Sequence, residues 1–103
     1  MKYALVEVHQ DQMVNTSIVC LGSKEECIER LKKEVTDFVS SSKDGIEVIE
    51  GEYVEDIEAG CSEYESVDEL VENVLSSGTT DFELVYMGRC YGECWNWSIV
   101  KAA

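Results

Sequence analysis

Five cysteines and one histidine are the side chains of this sequence best suited to hold a metal ion or to act in catalysis. Cys90 and Cys94 are separated by three residues, a spacing found in pairs of zinc ligands. A structural zinc site takes four ligands, however, and neither Cys61 nor His9 has a second ligand close in sequence. The odd number of cysteines and the lack of a secretion signal favour reduced thiols. We therefore expect no metal and no cofactor. The alternatives are a zinc- or thiol-dependent site at Cys61, Cys90 and Cys94, or a Cys90–Cys94 disulfide.

Patterns typical of enzymes are missing from the sequence. There is no glycine-rich phosphate loop, no serine-centred elbow and no HExxH motif. A catalytic thiol would need a nearby base, and strand alternation places His9, the only imidazole, at the surface among polar neighbours. Carboxylate pairs such as Glu55-Asp56 lack the spacing of a calcium-binding loop. We therefore expect a protein that is not an enzyme.

Composition limits the class of partner. The chain has 103 residues and 22 acidic against 8 basic side chains, a net charge of −14. Nucleic acids and anionic membranes both require a basic surface, so direct binding to either is not expected. With 45% hydrophobic residues the chain can fold, and its length predicts a single domain over residues 1–103. Short apolar runs and an N-terminus unlike a signal peptide predict a cytoplasmic protein.

The negative charge is confined to one segment. Residues 44–88 contain 14 acidic residues and no Lys or Arg, whereas the rest of the chain has 8 of each sign. One interpretation is a solvated face that serves solubility. The other is a negative surface that a basic groove on a partner protein would accept. Its candidate contact residues are Glu47, Glu50, Glu52, Glu55, Asp56, Glu58, Glu63, Glu65, Asp68, Glu69 and Glu72.

In size, charge and lack of catalytic motifs the chain resembles the small acidic inhibitors carried by phages and mobile elements, the DNA-mimic anti-restriction and anti-CRISPR proteins. Those inhibitors share no common sequence motif, so no residue role is carried over. The resemblance implies an inhibitor that occupies the basic, nucleic-acid-binding surface of a partner protein. The remaining alternative is an acidic domain whose residues 44–88 contact no partner.

Hydrophobic periodicity predicts an α+β fold in the order ββαβαββ, with two helices on one face of a mainly antiparallel sheet. Strands over residues 3–9 and 14–21 form a first hairpin, in which Ala4, Val6 and Val8 share a face. A capping box from Ser23 to Glu26 begins the first helix. Its expected buried stripe is Cys27, Ile28, Leu31, Val35, Phe38 and Val39.

The second half of the chain leaves two questions open. Residues 46–57 change phase at Gly51, which predicts either a bulged strand or a hairpin, with Ile49 and Tyr53 on one face. A second capping box at Ser66 begins a helix that ends at Gly78. Strands over residues 82–87 and 95–100 form the last hairpin, and its aromatic residues are expected in the core rather than at an interface. These residues are Tyr86, Tyr91, Trp95 and Trp97.

Overall fold

The structure, a computed structural model, describes residues 2–41, 45–78, 81–87 and 92–102. These residues form six strands and three helices. In chain order they are β1 (Lys2–Gln10), β2 (Val14–Gly22), α1 (Lys24–Ser41), β3 (Ile46–Ile49), β4 (Glu52–Tyr53), α2 (Val54–Glu58), α3 (Val67–Ser76), β5 (Asp81–Met87) and β6 (Gly92–Ala102). The predicted α+β class is confirmed, but the predicted order ββαβαββ lacks β4 and α2.

All six strands form one sheet in the order β2-β1-β6-β5-β3-β4, and every neighbouring pair is antiparallel. The two long terminal strands β1 and β6 lie side by side in the middle, which brings the two ends of the chain together. Strand β2 forms one edge, and the two-residue strand β4 forms the other. The helices pack on a single face, where their apolar stripes share one core with Leu5, Leu84 and Trp97.

Residues 46–58 contain a hairpin followed by a helix, so the hairpin interpretation is correct. Glu50 and Gly51 have φ values of 48° and 84°, and positive φ at both central residues is the signature of a type I′ turn. The turn pairs Tyr53 with Val48, which places Tyr53 on the face opposite Ile49. The prediction that Ile49 and Tyr53 share a face is therefore wrong, because a hairpin reverses the chain where a bulged strand would continue it.

Both predicted N-cap serines cap their helices, but only the box at Ser23 is reciprocal, because the Glu69 carboxylate accepts from the Glu65 amide instead of the Ser66 amide. The Ser23 hydroxyl accepts a hydrogen bond from the Glu26 amide at 3.1 Å, and the Glu26 carboxylate accepts one from the Ser23 amide at 3.1 Å. Ser66 is the N-cap of α3 and accepts from the Glu69 amide at 3.2 Å. These bonds satisfy amides that the first turn of a helix leaves unpaired, so both helices begin where the sequence predicts.

The helices cover the face of β1 that carries Leu5, and Ala4, Val6 and Val8 point to the other side. Both faces of β1 carry apolar side chains, and the alternation alone does not say which face is covered. His9 shares the covered face with Leu5. Its predicted position among polar neighbours is wrong, since its ring stacks on Trp95 with centroids 4.4 Å apart.

Tyr86, Trp95 and Trp97, the aromatic residues of the last hairpin that the structure describes, pack in or against the core, as predicted. Trp97 is buried, Trp95 is half-buried beneath Phe38, and the Tyr86 ring meets Phe38 edge-on. Tyr91 and Cys90 lie outside the described residues. No helix within the described part of the chain is long and apolar enough to cross a membrane.

Candidate interaction surface

The eleven predicted contact residues lie on β3, on the turn that follows it, on β4, on α2, on the loop over residues 59–66 and on α3. We call these residues the acidic surface. Nine of the eleven side chains are exposed, and Glu47 and Glu52 are half-buried. Strands β3 and β4 form the edge of the sheet opposite β2, so this part of the negative charge is placed away from the uncharged strand β2.

Helix α2 is a single turn whose two apolar residues determine where its acids point. Val54 and Ile57 are each 3% exposed and pack into the core. Because they occupy the inner side of the turn, Glu55, Asp56 and Glu58 are exposed to solvent. Three carboxylates therefore project outward within about 4.5 Å along the helix axis.

Six carboxylates of the acidic surface have no hydrogen bond or ion pair to any described residue. They extend from β4 through α2 into the loop before α3. These are Glu52, Glu55, Asp56, Glu58, Glu63 and Glu65. Side chains in this state are free to accept hydrogen bonds from cationic groups that approach from outside.

Four other members of the acidic surface already have partners within the protein. The Glu50 carboxylate accepts a hydrogen bond from the Glu83 amide of β5 at 2.6 Å. Asp68 accepts from the Thr36 hydroxyl at 3.3 Å, and the Glu69 carboxylate accepts from the Glu65 amide at 2.9 Å. Glu72 forms an ion pair with Lys32 of α1. These four residues help to hold the fold together, which the sequence alone did not distinguish from an open charge.

Glu47 differs from the rest of the acidic surface. It lies opposite Tyr86 on the helix-covered face of the sheet, and one of its carboxylate oxygens is buried with no hydrogen-bond partner among the described residues. A buried oxygen of this kind cannot meet a protein partner from outside. Glu47 is therefore poorly placed for the contact role that we expected of it.

The Tyr64 side chain shows that acids from separate elements meet. Its pKa is raised, first by desolvation and then by the carboxylates of Glu63, Glu52 and Glu69. These three acids belong to the loop, to β4 and to α3. Folding thus brings the electrostatic effects of carboxylates up to 17 positions apart in the sequence to bear on one side chain.

Towards α1 the negative surface is interrupted. A groove of about 440 Å³ runs between α1 and α3, and its lining includes Lys32 and Lys33 as well as Asp37 and Glu72. Interaction with Glu72 raises the pKa of Lys32, so this lysine stays charged. The mixed charges of the groove mark the limit of the acidic surface on this side.

Of the three cysteines considered for metal binding, Cys61 and Cys94 lie within the described residues, on separate parts of the fold. Cys61 is exposed in the loop after α2 and Cys94 lies on β6. Among the described residues, neither cysteine belongs to a group of three side chains that could hold a metal ion. The group that is found there consists of His9, Asp11 and Glu93. The His9 Nε2 lies 2.7 Å from the Glu93 carboxylate, which accepts its hydrogen bond. No short-range pattern indicates this pair, because its members are 84 residues apart.

The chemistry available at the acidic surface is the binding of cationic side chains. Exposed carboxylates accept hydrogen bonds from Arg guanidinium and Lys ammonium groups, and several of them together attract a basic surface from a distance. Comparisons of the chain with protein-family models, with curated proteins and with solved structures give no match.

Proposed function

We propose that this protein is not an enzyme and acts by covering the basic, nucleic-acid-binding surface of a partner protein, as an inhibitor of the DNA-mimic kind. The observation that carries the proposal is the set of six unpaired carboxylates from Glu52 to Glu65, five of them exposed and Glu52 half-buried, in a segment with no Lys or Arg. A surface that served solubility alone would not require the acids to be gathered in one part of the chain, where folding increases their repulsion.

The charge density of α2 supports this proposal. Glu55, Asp56 and Glu58 place three negative charges within about 4.5 Å of helix axis. Duplex DNA carries one charge per about 1.7 Å of its axis. Over this short length the helix therefore matches the density that a DNA-binding groove is built to accept, and Glu52, Glu63 and Glu65 extend the negative area around it.

Competition with DNA tests the proposal. A panel of basic nucleic-acid-binding proteins is loaded with fluorescent duplex DNA, and displacement of the DNA by this chain is measured. We expect displacement from at least one member of the panel. Neutralising four carboxylates should raise the concentration needed by at least about fourfold, since each exposed pair contributes about 0.2–1 kcal/mol and four pairs sum to about 0.8 kcal/mol or more. The acidic-surface variant carries Glu55→Gln, Asp56→Asn, Glu58→Gln and Glu63→Gln.

A control variant removes the same number of charges elsewhere and should change the displacement by less than about threefold. All four control positions are exposed and lie outside residues 44–88. It carries Asp11→Asn, Glu25→Gln, Glu29→Gln and Asp37→Asn. Equal loss of displacement in both variants would show that only net charge matters. If the acidic-surface variant competes as well as the parent, or the parent displaces DNA from no member of the panel, residues 44–88 are a solvated face.

A further inference from the structure

The face of the sheet turned away from the helices holds most of the exposed apolar side chains. Eight large hydrophobic residues are exposed among the described residues. Seven of them lie on this face, with exposed fractions from 44% to 63%, and the eighth, Met13, is in the turn between β1 and β2. The seven are Val14, Ile18, Leu21, Ile46, Tyr53, Met87 and Val100. We call this side of the sheet the open face.

The register of the strands establishes that these residues share one side. Leu21 and Val100 both pair with Ala4, and Ile18 pairs with Val6, so all point away from Leu5 and the helices. Tyr53 pairs with Val48 in the same way at the other end of the sheet. Side chains that alternate in this manner form a continuous surface across neighbouring strands. Proteins that act as monomers rarely expose apolar areas of this extent.

The open face is nearly free of charge. Its charged residues among those described are Lys2 and Asp81 at the starts of strands, and Glu83 on β5. The remaining acids of the strands, such as Glu7 and Glu93, point to the covered face. An acidic protein with a net charge of −14 thus has one side on which a second acidic protein can approach closely.

We propose that a second copy of this chain covers the open face. Two sheets then pack face to face about 10 Å apart, with the helices of both copies on the outside. This arrangement brings neutral, apolar sides together and leaves the helices with their acids, including the whole of α2, on opposite outer sides. A basic partner, by contrast, would be drawn to the acidic surface and would leave the open face exposed.

The area is sufficient for a stable dimer. The six strands are two to eleven residues long, and at about 4.8 Å between strands and 3.3 Å per residue they give a flat area of roughly 650 Å². Protruding side chains such as Ile18 and Met87 increase the accessible surface above this value. Standard stable interfaces bury about 600–1,000 Å² on each partner. The whole open face, but not a part of it, meets that requirement.

Sedimentation velocity of the isolated protein, over concentrations from about 1 to 500 μM, tests the proposal. We expect a shift from the mass of one chain, 11.6 kDa, to that of two. Ile18→Lys combined with Val100→Lys should weaken the dimer at least about 100-fold, because the ammonium groups would be buried without partners. Ser40→Lys combined with Ala59→Lys adds the same charge at exposed positions on the helical side and should leave the dimer intact.

Two results would overturn the proposal. One is a single-chain mass at every concentration. The other is a dimer that survives the Ile18/Val100 double variant and is lost with Asn15→Pro on β2, because that pattern indicates pairing through the exposed edge of the sheet. No basic partner is present in this experiment, so its outcome is independent of the proposed inhibitory function.

The unaltered protein provides a second measurement that does not depend on how the variants fold. Cys94 pairs with Val85 on the open face, whereas the exposed Cys61 lies in the loop after α2. Alkylation of Cys94, followed by peptide mass spectrometry, should slow as the protein concentration rises, and alkylation of Cys61 should not change. Equal behaviour of the two thiols across the concentration range would contradict the face-to-face dimer.

Discussion

At the scale of single residues, the clearest chemical consequence concerns Cys27. Its side chain is fully buried on α1, with its sulfur 3.9 Å from that of Cys20. Burial, followed by the hydrogen bond with Cys20, raises the pKa of Cys27 to about 11. The thiolate is the form that reacts with alkylating agents, so this residue should be unreactive near neutral pH.

We expect iodoacetamide at pH 8 to modify Cys27 of the folded protein at least about 100-fold more slowly than Cys61. Peptide mass spectrometry measures both rates in one sample, and the rates should become similar in denaturant. The raised pKa means that the folded state holds this proton more tightly than the unfolded chain. The resulting stabilisation is present at neutral pH and is lost as pH rises through the folded value. Similar rates for Cys27 and Cys61 in the folded protein would contradict the burial of Cys27.

At the scale of elements, the turn at Glu50 and Gly51 determines where the acids of β4 and α2 are placed. Gly51 has a φ of 84°, and a Cβ added there would touch nothing within 4 Å. Gly51→Ala therefore tests the backbone conformation alone, and it should lower the free energy of unfolding by about 1–2 kcal/mol. Urea denaturation followed by circular dichroism measures the change.

Gly92→Ala, at the start of β6, is the matched control for Gly51→Ala in the turn. Gly92 also has open space around its added Cβ, and its φ lies outside the left-handed region. Its replacement should change the free energy of unfolding by less than about 0.5 kcal/mol, or raise it slightly by restricting the unfolded chain. Equal effects at the two positions would show that the turn is not held in the conformation described.

At the scale of the whole molecule, the segregated charge should make stability depend on salt. The carboxylates of the acidic surface repel one another, and most of them lack a cationic partner among the described residues. Screening shortens the range of this repulsion from about 30 Å at 0.01 M salt to about 8 Å at 0.15 M. The Tm should therefore rise with salt, by about 4–8 °C for each kcal/mol of repulsion removed.

The two fourfold variants locate the source of this effect. In low salt the acidic-surface variant should have a higher Tm than the parent and a weaker response to salt. The control variant should resemble the parent, because its four positions lie in the part of the chain where acidic and basic residues are equal in number. Differential scanning calorimetry at one fixed protein concentration makes the comparison. A Tm that is independent of salt would show that the acids are too far apart to interact.

Elements whose causes lie within a few residues could be predicted from the sequence alone. Ser23 and Ser66 mark the starts of α1 and α3, and Phe82, Leu84 and Trp97 occupy the core face of the last hairpin as their alternation predicts. The sequence also located the negative charge in residues 44–88, since composition is independent of folding. Helix α2 was not predicted, because a single turn with two buried residues is too short to show the periodicity of a helix.

Which faces of the sheet and which charged side chains are available to a partner depends on the packing of the whole chain. Val6 and Leu5 are similarly apolar, and the packing of α1 on the Leu5 side is what leaves Val6 and Ile18 on the open face. The hydrogen bond that the Glu50 carboxylate accepts from β5 and the ion pair between Glu72 and Lys32 likewise join residues more than 30 positions apart in the sequence. Local patterns specify hydrogen bonds and periods within an element, whereas strand order and the side of the sheet that is covered follow from the burial of the whole chain.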